Sequence, residues 1–278
     1  MIRLGFHLSV SGGVYNAALA AEKHHYGTFQ IFASNPRAWE HRKIDDTDAA
    51  RFREVTRKSG AVPFAHVPYL CNPSSPNPEV LRKSLGMLVG NMESCAQLGI
   101  RGLVVHMGSH LGKGEALGLG SIVKTLTSAI DSAPRVRILL ENSAGYNNSV
   151  GSKFGEIGKA LESFGQAEAG VCLDTCHAFA AGYDLRTKTA IDAMCSEFED
   201  KIGFRRLGLV HLNDAKYDLG SGLDRHWHIG KGKIGIGGFT ELFRNRHFQD
   251  MCFIMETPVN QDGNEATNMK AAQKAAGL

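Results

Sequence analysis

Nine side chains of metal-ligand type fall at, or just beyond, the ends of short apolar runs: His66, His106, Glu141, Asp174, His177, His211, Asp224, His226 and Glu256. Imidazoles and carboxylates together suit zinc or a similar divalent ion. One such position means little, because a His or acid at the end of a run is as often a solvated loop residue. Here His66, His106, Glu141, Asp174, His211 and Glu256 each close a different run, and His7 closes another. So many ionisable groups on one rim would repel and shift one another's pKa values unless a cation held them.

Local spacing adds to this pattern. Asp174 and His177 are i and i+3, so both point into one site if the backbone turns helically there. Asp224 and His226 are two apart, so in extended backbone they face one side. His228 continues that alternation and competes with His226 for the role, or else stands exposed in a loop. One tetrahedral zinc takes about four ligands, so this set, with one carboxylate shared, would serve about two or three ions.

The elements that must carry these residues can be read from the runs. Strands are expected at Leu4 to Leu8, Thr28 to Phe32, Val62 to Ala65, Leu103 to His106, Arg137 to Glu141, Gly170 to Leu173, Leu207 to Leu212 and Cys252 to Glu256. They are nearly continuous in apolar residues, as strands buried on both faces should be. Helices are expected between them at Val14 to Lys23, Thr47 to Lys58, Pro78 to Leu98, 121–130, 153–164, 188–201 and 239–245, with a last one at 265–276. This alternation predicts one (β/α)8 barrel, whose active site lies at the C-terminal ends of its strands. A doubly wound open sheet is the rival, but no G-x-G-x-x-G follows the first run.

Composition is consistent with a single barrel domain over residues 1–278. The chain is 43% hydrophobic and 21% charged, ordinary for a soluble protein. No run reaches the ~18 apolar residues of a membrane helix, and the N-terminus lacks the pattern of a secretory signal. The six cysteines form no Cys-x-x-Cys pair, so reduced thiols in the cytoplasm are expected. Cys172 and Cys176, which flank Asp174, read as small packed residues. The net charge of +3 does not by itself imply a nucleic-acid partner. Gly12, Gly13 and the glycines of IGKGKIGIGG would let backbone N–H groups approach a phosphate, though the pattern is common and the signal weak.

Longer motifs carry a resemblance. GVCLDTCHAFAAGYD, HLNDAKYDLGSGLDRHWHIGKGKIG and LLENSAG closely resemble the signatures of the endonuclease IV family, the zinc-dependent apurinic/apyrimidinic endonucleases, and AHVPYLCN, VVHMGSH and IMETP fit the same family. The similarity runs from about residue 4 to about residue 260. It implies a TIM barrel holding three zinc ions, with all nine ligand positions filled. By resemblance the first ion takes His66, His106 and Glu141; Glu141 bridges to the second, which takes Asp174, His211 and Glu256; the third takes His177, Asp224 and His226. The loop after Glu141 departs from the family, with Tyr146 and Asn147 near where a Gln-Gly pair is common.

The resemblance also implies a reaction. The phosphodiester on the 5′ side of an abasic site in duplex DNA would be hydrolysed, leaving a 3′-hydroxyl and a 5′-deoxyribose phosphate, and 3′-blocking groups would be trimmed. Glu141 and Glu256 would be the catalytic carboxylates, Glu141 joining the ion pair and Glu256 orienting the nucleophile. Arg37, Tyr69 and Leu70 would enter the DNA at the lesion. An aromatic and an aliphatic wedge can replace lost stacking while an Arg holds the backbone. Arg42, Lys43, Lys216, Arg225, Lys231 and Lys233 lie in expected rim loops and would meet phosphates. The enzyme is expected to act as a monomer, with neither a membrane nor an obligatory protein partner. A metal-dependent sugar isomerase or epimerase on the same barrel is the alternative, but it leaves His177, Asp224 and His226 unexplained. A non-catalytic DNA-binding module has no use for converging ligands.

Overall fold

The apolar runs form strands β1 (Arg3–His7), β2 (Thr28–Phe32), β3 (Val62–His66), β4 (Gly102–His106), β5 (Arg137–Glu141), β6 (Ala169–Asp174), β7 (Leu207–His211), β8 (Asp214–Ala215), β9 (His226–Trp227) and β10 (Cys252–Met255). The structure is a computed structural model, and it describes all residues except 36, 37, 40–42, 134, 135 and 147. Strands β1 to β7 follow one another around a closed parallel barrel, and β10 closes it between β7 and β1. The expected (β/α)8 barrel is therefore the observed fold. β8 and β9 form a separate antiparallel pair within the long β7 loop.

The helices are α1 (Tyr15–Lys23), α2 (Asp46–Ser59), α3 (Pro78–Leu98), α4 (Glu115–Ser132), α5 (Phe154–Leu161), α6 (Thr175–Ala180), α7 (Lys188–Lys201), α8 (Gly235–Arg244) and α9 (Glu265–Ala276). α3 has the bounds its ends dictate. The Asn77 side chain accepts the Glu79 and Val80 N–H groups, Pro78 opens the helix, and Gly99 closes it at φ +74°. α4 begins at Glu115 rather than at 121, because Gly118 and Gly120 disguise its first turns. Gly118 is there for space: a Cβ would lie 2.9 Å from Val150 and 3.1 Å from His110. α8 likewise begins at Gly235 rather than at 239, and α5 ends at Leu161 rather than at 164. Packing has outweighed the poor helix propensity of glycine in α4 and α8. No described helix is long and apolar enough to cross a membrane.

Both faces of the barrel strands are buried, as their apolar continuity requires. Outward residues such as Phe29, Leu103, Ile138, Val171 and Phe253 join helix residues such as Phe52, Leu88, Leu126 and Phe198 in the large core. Burial of each such side chain is worth about 1.5–3 kcal/mol. A second, small cluster consists of Phe64, Val104, Leu139, Cys172, Leu209 and Ile254, on β3, β4, β5, β6, β7 and β10. By the alternation of strands these residues face the barrel axis. Cys172 is thus a packed interior residue, as expected.

Two residues further along each of these strands come His66, His106, Glu141, Asp174, His211 and Glu256. The period of two keeps them on the inward face and lifts them to the C-terminal end, above the apolar plug.

Candidate metal centre

Three groups of donors adjoin one another above that plug. In the first, His66 Nε2 lies 3.0 Å and His106 Nδ1 3.2 Å from Glu141 Oε2. In the second, His211 Nδ1 lies 2.9 Å from Glu141 Oε1, 3.4 Å from Glu256 Oε2 and 3.9 Å from Asp174 Oδ2. The two oxygens of Glu141 therefore serve different groups. In the third, Asp224 Oδ1 lies 3.2 Å from His177 Nε2 and 3.5 Å from His226 Nε2. His226 Nε2 is also 3.4 Å from Asp174 Oδ2. Asp174 thus stands between the second and third groups.

Local folding explains the third group. Asp174 ends β6 and caps α6, its Oδ1 accepting the His177 N–H at 2.7 Å. The helical turn that the i, i+3 spacing needs is therefore present. Pairing of Ala215 with His226 in the β8–β9 ribbon carries His226 back over the site. Asp224, its side chain half exposed, hangs at the mouth.

The donor atoms of His66, His106 and Glu141 lie within 4.8 Å of one another, as do those of Glu141, Asp174, His211 and Glu256. The donor atoms of His177, His226 and Asp174 lie equally within 4.8 Å of one another, as do those of Asp224, His226 and the Cys176 thiol. Spacing had marked Cys176 only as a packed residue, and this proximity to ligand atoms was missed.

The histidines are oriented by their other nitrogens. His66 Nδ1 donates to the Val67 carbonyl at 2.7 Å, so Nε2 offers a lone pair to the site. His177 Nδ1 donates to the Asn142 carbonyl at 2.9 Å and His226 Nδ1 to the Glu256 carbonyl at 3.3 Å. The Nε2 atoms of His177 and His226 are buried and make no hydrogen bond. Buried polar atoms normally find a partner. Orphaned imidazole nitrogens facing carboxylates fit a divalent cation, and a set of nitrogens and oxygens fits zinc.

The electrostatics point the same way. Burial pushes the Glu141 carboxyl up, but His106 and His211, with hydrogen bonds from His211 and His66, outweigh it and hold it well below the usual range. Burial likewise opposes ionisation of Asp224, yet His177 and His226 bring it down to about 2. Burial, with His66 and His177 nearby, takes His106 down to about 4 against the pull of Glu141 and Glu256. Burial would also lower His177, but Asp174, Asp224 and Glu141 raise it well above its ordinary value. Carboxylates held anionic beside buried imidazoles form a donor set that fits a cation.

Two asparagines that sequence reasoning missed brace the carboxylates. Asn142 Oδ1 accepts the Asp174 N–H at 2.7 Å, and its Nδ2 donates to the Asp174 carbonyl. Asn213 Nδ2 donates to Asp174 Oδ2 at 2.7 Å, and its Oδ1 accepts the Glu256 N–H at 2.8 Å. Their signal was position: one follows Glu141 directly, the other stands two after His211.

Two expectations about the β7 loop are corrected. His228 is neither a ligand nor exposed: it is buried, with Nε2 donating to Asn260 Oδ1 at 2.9 Å and Nδ1 accepting from Asn268 Nδ2 at 3.0 Å. The chain leaves β9 after Trp227, so the alternation stops there. The N–H groups of Gly230, Gly232, Ile234 and Gly235 turn inward to the buried Asp214 carboxylate at 2.9–3.3 Å, not outward to a phosphate. Of the basic residues there, Lys233 pairs with Asp218 at 2.9 Å, Lys231 donates to the Asp262 carbonyl, and Lys216 covers the Trp227 ring at 4.5 Å.

Tyr69 and Leu70 stand at the mouth. Tyr69 is 67% exposed, its ring stacked on His106 at 5.5 Å and edge-on to Phe32 at 5.7 Å. Leu70 is also exposed. A cavity of about 280 Å³ opens beside them, lined by Tyr69, Asn72, His106, Ser109, Ser143 and Ser149. Arg37, Arg42 and Asn147 lie outside the described residues.

Residues 18–276 match the family described as xylose isomerase-like TIM barrel. The chain is 43% identical to the probable endonuclease 4 of Cenarchaeum symbiosum, over 99% of this chain and 100% of that protein. It is 42% identical to the probable endonuclease 4 of Methanoculleus marisnigri, over the full length of both. The solved endonuclease IV of Thermus thermophilus superposes with a TM-score of 0.87 at 34% identity, covering 98% of each chain. A D-tagatose 3-epimerase-like protein has the same fold, with a TM-score of 0.72 at 17% identity over 98% of this chain and 95% of that one. The fold is thus that of the xylose isomerase-like barrels. Within them, the chain belongs to the endonuclease IV family.

Proposed function

We propose that this protein is a zinc-dependent endonuclease that hydrolyses the phosphodiester 5′ to an abasic site in duplex DNA, leaving a 3′-hydroxyl and a 5′-deoxyribose phosphate, and that it trims 3′-blocking groups. The observation that carries the reading is the continuity of three donor groups through Glu141 and Asp174, beneath the exposed Tyr69 and Leu70. Zinc bound there supplies an activated water and neutralises charge on the phosphate.

The chain's residues divide the remaining work. His66, His106 and Glu141 would hold one ion; Glu141, Asp174, His211 and Glu256 a second; His177, Asp224 and His226 a third, with Asp174 alongside. Glu256 would orient the attacking water, and Glu141 would offer one oxygen to each of the first two groups. Tyr69 and Leu70 would fill the space left by the extruded nucleotide, with Arg37 on the backbone. A nucleotide without a base has little stacking to lose, so extrusion selects abasic sites. A sugar isomerase would leave the His177, Asp224 and His226 group without a task.

The test is incubation of the zinc-loaded protein with duplex DNA holding one abasic site, beside an intact duplex, with and without chelator. Cleavage of the abasic strand alone, abolished by chelator and restored by zinc, supports the reading. An inert zinc-loaded protein, or one that instead interconverts ketohexoses, overturns it.

A further inference from the structure

We propose that Gln30 is a positioning residue for the second metal group, selecting which nitrogen of His211 and which oxygen of Glu256 face the ion. The inference rests on the metal-centre reading above. Gln30 is fully buried on β2. In the strand register it pairs with Phe64, whereas Phe32 pairs with His66, so Gln30 lies one inward step below the ligand layer. Its side chain makes three hydrogen bonds. Nε2 donates to Glu256 Oε1 at 2.8 Å and to His7 Nδ1 at 3.0 Å, and Oε1 accepts from His211 Nε2 at 3.0 Å.

The neighbours fix the orientation of the amide. Turned over, its carbonyl oxygen would face the Glu256 carboxylate, which can only accept. In the stable orientation the His211 proton sits on Nε2, so Nδ1 carries the lone pair that faces Glu141, Glu256 and Asp174. Glu256 Oε1 is occupied, and Oε2 is left toward the site.

Few residues could do this. Glutamate offers no donor and sets a second anion against Glu256. Asparagine is shorter by one methylene. Methionine fills a similar volume and makes none of these bonds, leaving the His211 N–H with no partner in a buried site. Glu256 Oε1 would keep a donor only if the His7 proton sits on Nδ1, 3.1 Å away.

The test is zinc affinity of the full-length protein by competition with a chromophoric chelator, comparing wild type with Gln30→Met. The variant should lose about 10–100-fold in affinity for one ion and keep the others, as removal of a partner that orients a ligand does. Its kcat on abasic duplex should fall with KM little changed. Melting of the metal-free variant close to wild type would separate this from simple misfolding. A second readout needs no variant at position 30: long-range proton–nitrogen NMR of the zinc-loaded wild type should find His211 protonated on Nε2. Wild-type zinc affinity in Gln30→Met, or a proton on Nδ1 of His211, overturns the proposal. A wild type that takes up no zinc overturns both this and the metal-centre reading. One that takes up zinc without cutting abasic DNA overturns the proposed function alone, and Gln30 is then judged on zinc affinity.

Discussion

Asp174 and His177 are joined twice: Asp174 Oδ1 accepts the His177 backbone N–H at 2.7 Å, and the same oxygen lies 3.9 Å from His177 Nδ1. A helix cap and a candidate metal-binding carboxylate are one residue. Asp174→Asn should keep the cap, because its amide oxygen can still accept, while removing a charge from two donor groups. Its zinc content should fall, and its NH2, set against Asn213 Nδ2, should cost some stability while leaving the cap in place. Asp174→Ala should lose zinc and, in addition, about 1 kcal/mol of stability from the uncapped helix. Metal analysis with denaturant unfolding separates the two effects, and equal stability of both variants would refute the capping role.

Glu256→Gln should fold normally and cleave at least about 100-fold more slowly. Its backbone N–H bond to Asn213 does not involve the changed atoms. The measurement is turnover on abasic duplex at matched zinc content. Near wild-type turnover would remove Glu256 from the chemistry.

Replacing Tyr69 and Leu70 together by Ala should weaken binding and slow cleavage of duplex DNA, with zinc content and melting temperature near wild type. Both side chains are exposed, so little folding energy is lost. A small flexible phosphodiester has no stack to open, and its hydrolysis should change little. Equal loss on both substrates would mean that the Tyr69 ring serves His106, on which it stacks.

Asp214→Ala should destabilise the protein by about 3–5 kcal/mol, since it strands several buried N–H groups now directed at one carboxylate. Asp214→Asn should recover part of that loss. Thermal unfolding of the two variants is the check, and an Ala variant as stable as wild type would mean that water replaces the carboxylate.

The barrel was legible because strands buried on both faces must be continuously apolar, and six of the nine candidate ligands were legible because each closes such a run, the other three from their spacing in the loops. What escaped was set by tertiary contact. The β8 and β9 strands are two residues each, too short for any periodicity. His228 continues the spacing of His226, yet the chain turns between them toward Asn260 and Asn268. The glycines after it signalled an anion, and the anion is the chain's own Asp214. Gln30, Asn142 and Asn213 do their work through hydrogen bonds across the barrel, and a neutral amide in one strand carries no trace of its partners in another. Arg37 lies among residues the structure does not describe.

The sharing of Glu141 and Asp174 has a consequence for inheritance. A substitution at Glu141 disturbs the first and second groups together, and one at Asp174 disturbs the second and third. No single change at these two positions subtracts one site and spares its neighbours. Descendants of this chain that lose either carboxylate are therefore expected to lose two adjoining donor groups at once, whereas changes confined to one group, such as those at His66 or the half-exposed Asp224, should remove that group and spare the others.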